Sequence, residues 1–235
     1  MNFLHEDMLR LFGTLDPPLN SGRGVMIQFI APNPGAGTST MARAFAEVAS
    51  RFCDGVSLLF DLSGPANVQY NMASYERWSG GGSLSAHVDL GFNPNCLWRL
   101  LSDTASMGVH HTTPPYLLTT FHQLDGSRLL VSRFGHEALR QGQRAQINVD
   151  PQVWQMLRTR LPLIIVDSPP ISVSSDGVAL ASEMDAVVIV VEAETERSAV
   201  IEDLRDKLVA RGAHVAGIVF NKRRFYIPER VYRWL

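Results

Sequence analysis

Val25-Met26-Ile27-Gln28-Phe29-Ile30, followed by Ala31-Pro32-Asn33-Pro34-Gly35-Ala36-Gly37 and then by Thr38-Ser39-Thr40, is the stretch on which the fold turns. The first six residues are apolar apart from Gln28 and favour a strand, while the next seven hold too much glycine and proline to continue one. From residue 41 to residue 52 Ala, Met, Phe and Val recur at helical spacing. The order is strand, tight glycine turn, helix. Such a turn aims several backbone N–H groups at one point, and the helix dipole adds partial positive charge there, so an anion fits.

Five more apolar runs follow the same plan. Residues 56–60 end at Asp61, 129–131 stand alone, 163–166 end at Asp167, 186–191 end at Glu192 and 215–220 end at Asn221. Each run is continuous rather than alternating, as in strands covered on both faces. Helix-like stretches at 151–160, 176–183 and 198–211 lie between the later runs. Strands alternating with helices give an α/β fold, doubly wound, with a mostly parallel sheet flanked by helices.

Residues 1–20 read as an N-terminal helix and linker, and residues 21–235 as one domain with a long excursion from the sheet at 64–123. Leu4, Met8, Leu11, Phe12 and Leu15 form the apolar stripe of the N-terminal helix. The excursion holds Ser79-Gly80-Gly81-Gly82-Ser83, His110-His111-Thr112-Thr113-Pro114-Pro115 and one helical patch at 94–101. It reads as partly mobile, and long segments of this kind carry partner surfaces or lids, or no role at all. Tyr70, Tyr75 and Trp78 either mark a partner surface or cover the sheet edge. His110-His111 is half of a metal site without a second half.

With 235 residues, 46% hydrophobic and 19% charged, the chain has enough apolar content for a sizeable core and too little charge for disorder. A net charge of −2 removes the general electrostatic case for nucleic-acid binding. Cys53 and Cys96 form no disulfide framework or zinc pattern, so a reducing cytoplasmic compartment is expected. No secretory signal is read in the first ten residues. The longest apolar runs are far short of the ~20 residues that span a bilayer. The 221–235 tail carries net +4 and the rest of the chain −6, with the tail's bases interleaved among Phe225, Tyr226, Tyr232 and Trp234. This tail suits an acidic partner, an anionic membrane surface, nucleic acid, or an ordinary helix packed on its own domain.

The P-loop pattern is G-x-x-x-x-G-K-[ST], and residues 32–39 read Pro-Asn-Pro-Gly-Ala-Gly-Thr-Ser. Gly37 and Ser39 match; Pro32 stands for the first glycine and Thr38 for the lysine. Asp61 and Asp167 each close an apolar strand, which places two carboxylates at the C-terminal edge of the sheet, where open α/β sheets bind ligands. Together with Ser39 they form a candidate set for a hydrated Mg²⁺, which takes few protein ligands.

On these residues the chain resembles the cytoplasmic ATPase domains of bacterial tyrosine kinases that control capsule and exopolysaccharide export, within the deviant P-loop ATPases. The resemblance spans most of residues 20–222. The family phosphate loop, S-x-x-P-G-x-G-K-S-T, is followed by residues 31–40 at Pro34, Gly35, Gly37, Ser39 and Thr40 and broken at Thr38. The family's D-x-D-x-R is kept at Asp61 only, with Ser63 in place of the second acid. The D-[ST]-P-P motif is matched in full by Asp167-Ser168-Pro169-Pro170. The resemblance implies nucleotide binding, ATP or ADP with Mg, by Pro34, Gly35, Ala36, Gly37, Thr38, Ser39, Thr40 and Asn221, the last at the position that contacts adenine. It implies Mg held by Ser39, Asp61 and Asp167, with Asp61 and Asp167 as the catalytic pair if the chain is active. It further implies a cytoplasmic location, recruitment to the inner membrane by a cytoplasmic segment of a polysaccharide co-polymerase, and association with further copies of the chain.

The departures from the family shape the functional expectation. A P-loop lysine neutralises the β- and γ-phosphates, and losing one such group typically costs about 10²–10³ in rate. The two lysines of the chain, Lys207 and Lys222, lie well outside the loop in sequence, and Arg43, one helical turn past Thr38, is expected to face solvent. The family's N-terminal E-x-x-R-x-x-R survives only as Asp7-x-x-Arg10-x-x-Gly13, so that helix is expected to pack on its own domain. The tail lacks the tyrosine cluster of the active kinases. The expectation is a regulatory pseudo-ATPase, set against an active ATPase or tyrosine autokinase of the same pathway. A DNA-partition ATPase is disfavoured by the acidity of residues 1–220.

Overall fold

The computed structural model describes residues 3–17, 22–74, 83–102 and 117–222. Eight strands form one sheet in the order β10-β9-β1-β8-β2-β6-β5-β3. The six strands from β10 to β6 run parallel: Val215–Asn221 (β10), Ala186–Glu192 (β9), Val25–Ile30 (β1), Leu163–Asp167 (β8), Ser57–Asp61 (β2) and Leu129–Phe134 (β6). Thr119–Leu124 (β5) and Leu84–His87 (β3) extend the sheet antiparallel at one edge. Trp98–Ser102 (β4) and Gln143–Ile147 (β7) pair as a separate antiparallel ribbon. The doubly wound, mostly parallel α/β expectation is therefore met.

The continuous apolar runs work as expected, because each strand feeds two cores. On β1, Val25, Ile27 and Phe29 point to one face and Met26 and Ile30 to the other. One face is covered by Phe3–Leu15 (α1) and Thr38–Ala49 (α2), where Phe45 lies 5.3 Å from Phe29 between ring centroids. The other face is covered by Pro151–Arg158 (α4), Asp176–Leu180 (α5) and Ser198–Ala210 (α6), with Trp154 fully buried and edge-on to Phe60. Arg158 is also buried; it donates to Asp185, to Gly24 O and to Glu183 O, tying the end of α4 to the starts of β1 and β9.

Of the described residues in the 64–123 segment, β3 and most of β5 join the sheet at its edge, Val68–Ser74 (α3) packs beside β2 and β6, and β4 pairs with β7 in the separate ribbon. The stretch expected as a helix at 94–101 is a short 3-10 turn over Pro94–Leu97 followed by β4. Asn93 and Pro94 do look like a helix start, and Asn93 accepts a cap from Asn95 N, but Trp98 and Leu100 alternate with exposed Arg99 and Leu101, which is a strand period. Tyr75, Trp78, the glycine cluster at 80–82, His110-His111 and the tail from 223 lie outside the described residues.

The N-terminal helix packs on its own domain. Met8 is buried, Leu4, Leu11 and Leu15 lie against the α2 face, and Phe12 stacks on Phe52 at 4.8 Å. Among the described residues no helix is long and apolar enough to cross a membrane.

Candidate functional site

The phosphate-type loop, residues 31–37, leaves the C-terminal end of β1 at the centre of the sheet. Its path is stitched to the segment after β8: Ser168 N donates to Phe29 O at 3.0 Å and Ile171 N to Ala31 O at 3.0 Å. Gly35 and Gly37 take the left-handed conformation, with φ of 92° and 88°. At Gly37 a Cβ would stand 2.2 Å from Asn221 Nδ2, so only glycine fits. Asn221 Nδ2 donates to Ala36 O at 2.8 Å, so Asn221 braces the loop backbone from the end of β10. Pro34, Gly35 and Thr40 are exposed, Ala36 and Thr38 buried, and Gly37 and Ser39 intermediate.

Strand register brings the two acids together. β2 and β8 pair Asp61 with Asp167, and β1 pairs Phe29 with Asp167, so both carboxylates sit directly beside the loop at the sheet's C-terminal edge. Both are nearly inaccessible, at 4% and 2% exposure. Burial pushes Asp61 above the ordinary carboxylate range, against the hydrogen bonds it receives. Asp167 is pushed up to about 7, by burial first and by the neighbouring Asp61 second.

Each acid already has a structural task. Asp61 Oδ1 accepts from Ser63 N at 2.9 Å and from Ser63 Oγ, and Asp61 Oδ2 accepts from Gln69 N at 2.9 Å. The carboxylate thus caps the turn leading into α3, with Ser63 as one of its donors. Asp167 Oδ2 accepts from Gln69 Nε2 at 2.7 Å.

Sequence reading passed over four residues that the fold brings to this edge. Gln69, on α3, is fully buried between Ser39, Asp61 and Asp167. Glu192, at the end of β9, puts Oε2 3.7 Å from the Cβ position of Gly35. Glu196 accepts from Asn33 Nδ2 at 2.8 Å. Lys222, distant in sequence, has its Nζ 3.5 Å from that same Glu192 oxygen, at the rim of the loop. Only the position of Glu192 directly after an apolar run gave a signal; Gln69 gave none, because α3 was not read as a helix. Arg43 also departs from expectation. It is half-buried rather than turned to solvent, with burial lowering its pKa and Glu47 and Asp167 opposing that shift.

A hydrated Mg²⁺ does not fit the donor set as it stands. Both oxygens of Asp61 are spent on N–H and O–H donors, one oxygen of Asp167 is spent on the Gln69 amide, and the cation Arg43 lies within electrostatic range of the other acid. Ser39 and Asp167 Oδ1 are what remains, and that oxygen is buried away from solvent, out of reach of the waters that would complete an octahedral shell.

A separate cavity of about 580 Å³ opens at the opposite edge of the sheet between Arg23, Met156, Arg158 and Asp185. Its buried arginine is the structural one described above, so the chemistry-bearing edge is the loop edge.

No protein-family model matches the sequence, and no curated protein matches it. Among solved structures, the kinase domain of the Escherichia coli tyrosine kinase ETK matches with a TM-score of 0.57 at 14% identity, over 95% of this chain and 78% of that one. The fold is that of a bacterial tyrosine kinase domain. The chimerical protein CapA2B2 matches with a TM-score of 0.57 at 15% identity, over 94% of this chain and 85% of that one. The VpsO kinase domain does so with a TM-score of 0.51 at 16% identity, over 93% and 98%.

Proposed function

We propose that this chain is a regulatory pseudo-ATPase that acts with a membrane polysaccharide co-polymerase in exopolysaccharide biosynthesis or export. It binds ATP or ADP weakly through the backbone of residues 34–40, braced by Asn221, and hydrolyses it weakly or not at all. The observation that carries this reading is at the loop. Thr38 stands where the phosphate-binding lysine belongs, and Asp61, the acid beside it, is consumed as the cap of α3 with Ser63 as a donor. The chain works in the cytoplasm in this reading, brought to the inner membrane by the co-polymerase's cytoplasmic segment, and any self-association uses the exposed face of α1 that carries Asp7 and Arg10.

A second reading, an active ATPase or tyrosine autokinase, is favoured by Lys222 at the loop rim and by Arg43 near Asp167, two cations that sequence order had placed elsewhere. An ATP-hydrolysis assay with Asp167→Ala as control separates the two. The pseudo-ATPase reading expects turnover no different between the chain and its variant, whereas Mg-dependent turnover near ~1 s⁻¹ that the substitution abolishes establishes the enzyme. Calorimetric titration with ADP and ATP tests occupancy of the loop without assuming chemistry.

A further inference from the structure

The buried glutamine of α3 touches both acids of the set on which a divalent cation would depend, and the main-chain carbonyl of its third member, Ser39. Its Nε2 donates to Ser39 O at 2.9 Å and to Asp167 Oδ2 at 2.7 Å, so both amide hydrogens are committed. Its backbone N–H holds Asp61 Oδ2 at 2.9 Å. The side chain is fully inaccessible, so the amide fills the space between the first turn of α2 and the carboxylate at the end of β8. The N–H on Asp167 Oδ2 delivers partial positive charge to an oxygen that a metal or its waters would serve, and the nearby guanidinium of Arg43 adds a full charge in range of Asp167. The acceptors left over, Asp167 Oδ1 and Gln69 Oε1, are buried and unpaired, a place for a single small donor and not for an octahedral shell.

We propose that Gln69 sets the cofactor selectivity of this site: its amide, anchored on the Ser39 main-chain carbonyl, takes the place of the divalent cation at Asp167, so that the loop binds a nucleoside di- or triphosphate without Mg²⁺. The nucleotide half of this statement rests on the function proposed above; the metal half does not. Glutamine is suited to the role because its N–H groups have no acidic pKa, so the contact holds wherever Asp167 keeps an acceptor oxygen.

The test uses the full chain and two probes. Mn²⁺ alone, followed through the electron paramagnetic resonance of the free ion, reads the metal site; a fluorescent ADP analogue, titrated in Mg²⁺ and in EDTA, reads the nucleotide. The wild type is expected to leave the signal of about 1 mM Mn²⁺ undiminished, the weak end of divalent-site affinities. Its affinity for the analogue is expected to agree within about twofold in the two media. Gln69→Ala and Gln69→Glu, which release Asp167 Oδ2, are expected to gain Mn²⁺ binding and a nucleotide affinity at least about tenfold tighter with Mg²⁺ than with EDTA. Mn²⁺ binding by the wild type at sub-millimolar concentration, matched by the variants, overturns the proposal. If the analogue binds in neither medium, the nucleotide reading fails and the Mn²⁺ comparison alone decides the selectivity of Gln69. Circular dichroism checks that the variants fold; if Gln69→Ala does not, Gln69→Glu and the wild type carry the comparison.

Discussion

At the scale of single residues the loop edge is a set of side chains with architectural tasks. Asn221 braces Ala36, Ser63 and Gln69 cap or fill around Asp61, and Gly37 is required for conformation and for space together. Gly37→Ala must hold a side chain at φ 88° and displace Asn221 Nδ2 from a position 2.2 Å away. The left-handed strain alone costs about 1–2 kcal/mol, which for a chain of this size lowers the melting temperature by about 2–8 °C. Thermal melts check this, and adding Asn221→Ala is expected to recover part of the loss, because one of the two penalties is the clash between these residues.

At the scale of elements the six parallel strands were legible, and the antiparallel strands and α3 were not. Residues 25–30, 163–166 and 186–191 are apolar without interruption because each serves two cores, and the pattern points to one structure only. The missed elements are those whose reading needs a partner. Residues 143–147, Gln-Arg-Ala-Gln-Ile, become β7 only because β4 lies beside them, and α3 begins where it does because Asp61, seven residues before it, caps the turn. The same holds for the site: the two acids and the glycine loop could be read from strand ends and turn chemistry, whereas Gln69 and Lys222 arrive through tertiary placement alone. Arg158 is another such case, a charged residue in an amphipathic helix that turns out to bind three elements together. Arg158→Met takes one donor from the Asp185 carboxylate, which keeps Arg23 and the Met26 N–H, and removes the arginine's bonds to the carbonyls of Gly24 and Glu183; it is expected to cost about 1–3 kcal/mol, measured by denaturant unfolding.

At the scale of the whole molecule the two buried acids couple the fold to pH. Asp167 titrates near 7 in the folded chain and near ~3.9 when unfolded, so between these values the native state holds the extra proton. Stability is therefore expected to fall as pH rises from about 4 to about 7 and to level off above that, with Asp61 adding in the same direction. Asp167→Asn, which cannot ionise, is expected to flatten that slope in urea titrations across the same range. The three hydrogen bonds of Gln69 have one more outcome. They form a strut from the first turn of α2 to α3, and Tyr70, the next residue along, lies edge-on to His122 of β5 at 5.0 Å. One unbroken line of contacts thus joins the cradle to the antiparallel margin of the sheet, four strands over from β1.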